Sequence, residues 1–304
     1  MKSNIIKKID KLLFIMLPLR IFILIITFIF MHSTGNNILY GQSDKLNVRH
    51  VKVYYEKGMV GGWPANHGIW RWGDEILVGF TKGYYKDLGE RHNIDREKPE
   101  YHMLARSLDG GETWSIEDPG KDDGDLVIPE GWLGELRNDI KPPEMRDCNE
   151  EIDFRHPGFC LTARMTNADG GRSRYWYSYD RGHDWNGPFK LPNFGTPGTA
   201  ARTDYIINSN KECMLFITAA KSNGKEGRPM CVKTTDGGIT WSFVSWIGPE
   251  PDGFAIMPAS VRLSSHEILV TVRRREGSHR FIAAYYSSNN GRTWNQLENP
   301  FDDA

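Results

Sequence analysis

Apolar residues along this chain recur in short runs, most of four to six residues, cut by polar turns. No sustained i, i+3, i+4 stripe is found beyond the first 31 residues. One such series is Ile69–Trp72, Ile76–Phe80 and His102–Arg106, with a Gly73-Asp74 turn after its first run. A second comprises Phe159–Ala163 and Tyr175–Tyr177. A third holds Tyr205–Ile207, Met214–Thr218 and Met230–Lys233, and a fourth Ser260–Leu263, Ile268–Val272 and Phe281–Tyr286. Runs of this length, rich in β-branched and aromatic residues and bounded by Gly, Asn, Asp and Ser, predict strands. Val51–Tyr55 is read as one more strand, an outer one. The second series lacks a recognisable first strand, and the Asp-, Glu-, Gly- and Pro-rich span 117–157 ahead of it reads as an inserted loop of the long, often functional kind.

Each series ends in the same short pattern, Ser/Thr-x-Asp/Asn-x-Gly-x-x-Trp. The copies begin at Ser107, Ser178, Thr234 and Ser287 and close on Trp114, Trp185, Trp241 and Trp294, at steps of 71, 56 and 53 residues. Self-similarity at a period near ~50 marks a repeat architecture. The Asp or Asn bonds backbone N–H groups just ahead of it, and the Gly takes a left-handed conformation at little cost. The hydroxyl adds a local bond and the Trp covers the turn. Asp109, Asp180 and Asp236 are therefore turn-formers, although their type is that of acid–base catalysts.

The pattern resembles the Asp box, or bacterial neuraminidase repeat, of the sialidase superfamily, over residues 50–304. The resemblance implies an all-β protein, a β-propeller of sialidase type with each box between the third and fourth strands of a blade. Six blades are expected and about four to five are evident, so the resemblance implies a propeller over 42–304 that lacks its last blades.

Composition narrows the partners. Lys2, Lys7, Lys8 and Lys11 precede a run from Leu12 to Met31 that is apolar except for Arg20. Residues 1–41 thus read as a secretory signal cut near Gly41 or as a retained N-terminal membrane anchor, and either exports the rest to the periplasm or outside the cell. Residues 1–41 hold five of the 38 Lys and Arg and one of the 39 Asp and Glu, so without them the formal charge moves from −1 to −5. An acidic body with no basic stripe argues against nucleic acid. Cys148, Cys160, Cys213 and Cys231 permit two disulfides, but three lie in apolar runs that suit buried thiols equally well. Their spacing matches no metal site, and no cofactor is expected.

In a propeller the lead-ins to the innermost strands meet at the axis. Here they carry Trp63, Asn66 and His67, then Arg155, then Arg202, Asp204 and Tyr205. Convergent polar, charged and aromatic groups of this kind suit a small-molecule site. The resemblance implies an exo-sialidase-like glycoside hydrolase that releases a terminal sialic acid from a glycan. That chemistry uses arginines on the substrate carboxylate, a carboxylic acid on the leaving oxygen and a Tyr nucleophile. The family's first arginine precedes Ile-Pro, where this chain has Gly62-Trp63-Pro64. Its acid lies in the loop between the second and third strands of blade one, here Lys82–Tyr101, and Asp95 is the candidate, with His92 beside it. Arg202 is the first choice for the carboxylate clamp, with Asp204 next to it, and Arg164 and Arg273 are further candidates. Tyr205 is the inner-strand tyrosine available as nucleophile. Glu226 and Glu276 are further acid–base candidates. The departure at Trp63 keeps open a hydrolase or lyase for another acidic sugar, or a non-catalytic carbohydrate-binding propeller.

Overall fold

The computed structural model describes residues 48–121, 126 and 144–302, and the strands below all belong to one compact unit, Val51–Ala304. The N-terminal targeting segment lies outside the described residues, as does most of the 117–157 span. Blade one is built from β1 (Met59–Gly62), a single helical turn α1 (Pro64–His67), β2 (Ile69–Trp72), β3 (Glu75–Tyr84), β4 (Tyr101–Ser107) and β5 (Ser115–Glu117). β1 and β2 both pair antiparallel with β3, so together they form one inner strand that α1 interrupts. Blade two holds β6 (Cys160–Met165), β7 (Ser173–Ser178) and β8 (Asn186–Lys190). Blade three holds β9 (Thr199–Ala200), β10 (Tyr205–Ile207), β11 (Cys213–Ala220), β12 (Glu226–Thr234) and β13 (Ser242–Trp246). Blade four holds β14 (Phe254–Arg262), β15 (Ile268–Glu276), β16 (His279–Ser287), β17 (Asn295–Gln296) and β18 (Phe301–Asp302). Each blade is an antiparallel sheet, and the four make the β-propeller arrangement that the box spacing implies.

Strand alternation sends one face of each blade to each neighbour. Leu77 and Leu104 of blade one meet Cys160, Trp176 and Trp185 of blade two. Leu161, Ala163 and Tyr175 meet Leu215, Met230 and Trp241 of blade three. Met214, Phe216 and Cys231 meet Val270, Val272, Phe281 and Tyr285 of blade four. Three of the box tryptophans are rivets in these layers. Trp185 packs at 5.9 Å from Trp70, Trp241 at 5.7 Å from Tyr175 and Trp294 at 6.3 Å from Phe216. Such ring pairs add roughly 0.5–1.5 kcal/mol each beyond area burial. All four cysteines are buried free thiols, so neither disulfide forms.

The boxes close as local chemistry requires. In the first, Ser107 Oγ donates to Asp109 Oδ1 at 2.7 Å and accepts the Gly111 N–H at 2.8 Å, while the Thr113 N–H donates to Asp109 Oδ1 at 2.9 Å. The second repeats this through Ser178, Asp180, Gly182 and Asp184. Asp180→Ala removes the acceptor for two backbone donors. It is expected to cost about 1–3 kcal/mol, read as a fall in Tm, with ligand binding by the folded fraction unchanged. A loss of binding at full stability would contradict a purely turn-forming role.

Two expected elements differ. Residues 51–55 form no strand; Val53 and Tyr54 instead pack as coil on Phe80 and Met103, and Tyr54 covers Gly61, where a Cβ would lie 2.7 Å from its ring. Val51 and Tyr55 stay exposed, so the covered pair is adjacent in sequence rather than alternating. Blade two has no inner strand among the described residues. The chain ahead of β6 bonds away from it, with the Ile152 N–H donating to Gly237 O at 2.8 Å and the Phe154 N–H to Asn210 O at 2.9 Å, both in blade three. Hydroxyls from blades two and three line the free edge of β6. Thr203 Oγ1 accepts the Ala163 N–H at 3.0 Å, and Thr162 Oγ1 donates to His67 O at 2.9 Å.

Candidate functional site

Within each blade the turns between second and third strands lie at one end of the sheet. At that end α1 gathers three groups of side chains. Its first neighbour, Trp63, holds a left-handed backbone at φ +54°, rare for a bulky residue and a form of strain that clusters at binding sites. The Trp63 ring meets the edge of His92 at 5.4 Å and carries the Arg96 guanidinium over it at 5.0 Å. Arg96 Nη1 donates to Glu100 Oε1 at 2.7 Å. Glu100 is buried, and that burial raises its carboxyl above the usual range against the nearby charge of Arg96.

The second group is a charged link between blades one and three. Asn66 Oδ1 accepts Arg202 Nε at 3.0 Å, across 136 residues of sequence. Arg202 Nη1 donates to Glu226 Oε1 at 2.5 Å, while its Nη2 reaches Glu226 Oε2 at 3.4 Å, so the second arm of the fork is loosely held. The Glu226 N–H in turn donates to Asp169 Oδ1 at 2.8 Å, joining the loops of blades two and three.

The third group is a buried polar layer between blades one and two. His67 Nε2 meets Thr81 Oγ1 at 2.9 Å, and the His67 and His102 rings lie 4.4 Å apart. Burial, then the charge of Arg164, pushes the His102 imidazole down to about 3, and the same two causes, in the same order, hold His67 well below its ordinary value. Both rings are therefore neutral at any physiological pH.

The structure thus brings together Trp63 with His92, Asn66 with Arg202, and His67 with Arg164. It places the other candidates elsewhere. Arg155 Nη2 donates to Asn208 O at 2.6 Å, in the turn at the opposite end of blade three. Tyr205 OH accepts the Trp70 indole N–H at 3.1 Å, and burial raises the phenol well above its ordinary value. Asp204 turns away to blade four, where Oδ1 accepts the Ser260 N–H at 3.2 Å and its hydroxyl at 3.0 Å. Arg273 is exposed on blade four, 5.8 Å from the Phe254 ring. Asp95 meets Lys86 Nζ at 3.3 Å and accepts the Glu97 N–H at 3.2 Å. Burial alone would raise its carboxyl, but that N–H and the Lys86 ammonium outweigh it and hold Asp95 below the usual range. A group held ionised is a poor proton donor. Among the described residues no cluster of His, Cys, Asp and Glu is arranged to hold a metal ion.

Glu100, Arg96, His102 and Asp169 were not singled out from sequence. The signal for two of them is the alternation Glu100, His102, Leu104, Arg106, which points four residues at blade two, two of them polar groups near the site.

No family model matches this chain, and a search of curated proteins returns no match. Solved structures do resemble it. A protein of unknown function from Dyadobacter fermentans DSM 18053 superposes with a TM-score of 0.56 at 13% identity, over 80% of this chain and 70% of that one. The Hadza microbial sialidase Hz136 gives 0.49 at 12%, over 77% of this chain and 46% of its own length. The Penicillium chrysogenum alpha-L-arabinanase complexed with arabinobiose gives 0.47 at 15%, over 79% and 69%. At these identities the first likeness establishes the fold alone.

Proposed function

We propose that this protein is an exported, carbohydrate-active propeller, a glycoside hydrolase that removes a terminal acidic sugar, with sialic acid the first choice. The observation that carries the reading is the gathering around α1 of a cation, a buried carboxyl whose hold on its proton burial strengthens, and an aromatic ring. Arg202 supplies a guanidinium with one loosely held arm, suited to a carboxylate. Burial raises the Glu100 carboxyl against the charge of Arg96, a shift in the direction that a proton donor to a leaving oxygen needs. Trp63, half-buried, and the exposed His92 place aromatic rings beside these groups for a sugar to pack on. The four Asp boxes support the superfamily, and the basic and apolar N-terminal segment supports export.

A fluorogenic sialoside is the test. The wild-type chain is expected to turn it over, with a rate that falls as pH rises through the raised Glu100 value, because the donor must carry its proton. Glu100→Gln is expected to lower kcat about a hundredfold, while Asp95→Asn leaves it within a few-fold. A large loss with Asp95→Asn and none with Glu100→Gln would reverse the two roles. No turnover of sialosides or other acidic glycosides would sink the hydrolase reading.

One observation favours a non-catalytic carbohydrate-binding propeller instead. The inner-strand Tyr205 is tied to Trp70, and no carboxylate of the described residues bonds it. Retention on a glycan array without turnover would support that second reading.

A further inference from the structure

The inner strands of blades one, three and four break at the same rung. Counted from the residue opposite the box hydroxyl, which is Ile76, Cys213 or Ile268, the fifth residue along is Thr81, Thr218 or Arg273. Gly62 pairs with the first of these, Ala200 with the second and Ile256 with the third. Immediately after each partner the inner strand leaves the ladder. It returns at Ile69 opposite Val78 in blade one and at Tyr205 opposite Leu215 in blade three. In blade four it returns one rung sooner, at Ala259 opposite Thr271. The first break holds Asn66 and the second holds Arg202, and these two side chains meet at 3.0 Å. The third holds Met257 and Pro258.

Trp63 and Met257 are each the first residue of their break, and they share a left-handed backbone, at φ +54° and +56°. Long side chains rarely adopt it. Strain of this kind persists where the surrounding structure imposes it, and a bulge re-aims the side chain that it carries. Here blade three imposes it from both sides. Lys221 Nζ donates to the carbonyls of Pro251, Asp252 and Gly253 at 3.2, 3.0 and 2.7 Å, which fixes the chain entering β14. Phe254 then lies against Gly227, the neighbour of Glu226, so closely that a Cβ on Gly227 would stand 3.0 Å from the Phe254 Cβ. Beyond the break, the Ser260 N–H and hydroxyl donate to Asp204 Oδ1, two residues from Arg202. Met257 is three residues from each anchor, about 10 Å along the strand. It is therefore held beside the Arg202–Glu226 pair, from blade four.

We infer that Met257 contacts the ligand bound at Arg202 and helps to select it, as the apolar counterpart of Trp63 at the equivalent rung. The inference rests on the carbohydrate reading above. An unbranched thioether adapts its shape to an apolar surface. The ligand class is then an acidic sugar that presents a C–H face or an alkyl group beside its carboxylate.

The test compares Met257→Ala, Met257→Gly and Met257→Leu in the whole chain, by turnover of the fluorogenic sialoside, calorimetric titration with N-acetylneuraminic acid and thermal denaturation. Alanine and glycine both remove the side chain, but only glycine takes the left-handed backbone freely. Both are expected to raise KM and Kd about tenfold with kcat within a few-fold, while the glycine variant melts above the alanine one. Leucine keeps the apolar bulk and is expected to hold KM within about threefold of wild type. Losses that follow Tm, larger for alanine than for glycine, would reduce Met257 to a backbone role and overturn the proposal. Unchanged KM and Kd in both truncations would overturn it too. If the acid binds more weakly to both truncations while wild type hydrolyses nothing, the contact stands and the hydrolase reading falls. Hydrolysis with KM unaltered in both gives the reverse. Neither binding nor turnover by wild type would overturn the proposal together with that reading.

Discussion

Arg202→Met is expected to abolish turnover and to destabilise the protein in one step. The side chain joins blade one to blade three through Asn66 and Glu226, and both ends of the ion pair are nearly buried, at 11% and 12% exposure. Methionine keeps the stem and removes the charge, which strands the Glu226 carboxylate in a poorly hydrated place. Breaking such a pair from one side costs about 3 kcal/mol, a fall that chemical denaturation resolves readily. Turnover of an acidic glycoside is expected to drop roughly a thousandfold, since a charge-matched donor to the substrate is lost. The double variant Arg202→Met, Glu226→Gln separates the two effects. It is expected to recover most of the stability, because the stranded charge is gone, and none of the turnover. Recovered turnover in the double variant would remove Arg202 from the substrate site.

Asp204→Asn is expected to stabilise the protein, and only at high pH. The carboxyl lies between blades three and four with Oδ1 on Ser260 and, among the described residues, no partner for Oδ2. Burial raises it to about 7, against the two bonds from Ser260. The sign follows from linkage. A folded value above the unfolded one, 3.8, means that the folded state holds the proton more tightly. Stability from this group is full below pH 4 and is lost as pH rises through about 7. By pH 8 the loss amounts to about 4 kcal/mol. Asparagine has no such proton to lose, its oxygen still accepts from Ser260, and its amide occupies the place of Oδ2. The gain in Tm over wild type should be large at pH 8 and vanish near pH 4. His67 and His102 act in the opposite sense, stabilising above their unfolded value near 6.5 and less as pH falls below it. They are common to both proteins, so they cancel in the difference. A constant difference from pH 4 to 8 would show that the carboxyl titrates normally.

Both effects depend on contacts that no local pattern announces. The strands of blades three and four and the first two hairpins of blade one follow from alternation and turn residues. The boxes do too, because Ser107, Asp109 and Gly111 satisfy one another within five residues. Blade two was less legible. Its β6 and β7 carry the expected apolar alternation, but no inner strand is found for it, since Ile152 and Phe154 donate to blade three instead. The reading of Val51–Tyr55 failed for a similar reason. Of its apolar residues Val51 and Tyr55 are exposed, while Val53 and Tyr54 pack on the blade without pairing to it.

The site candidates divide in the same way. Arg202 and Asn66 were visible as polar residues in strand lead-ins, but only the fold shows that one holds the other. Asp95 and Glu100 share a loop and a chemical type. What separates them is environment, with Asp95 bound to Lys86 and a backbone N–H, and Glu100 buried beside Arg96. Asp204 and Tyr205 lie in a lead-in of the same kind as Arg202 and point elsewhere, to Ser260 and Trp70.

By itself, then, the chain's sequence determined the repeat, its four turns and the class of fold, because those depend on interactions between residues at most eight apart. The tertiary structure alone decided which side chains meet and which carboxyls burial pushes up. Those outcomes turn on burial and on charges brought close from distant blades, and neither has a period along the chain.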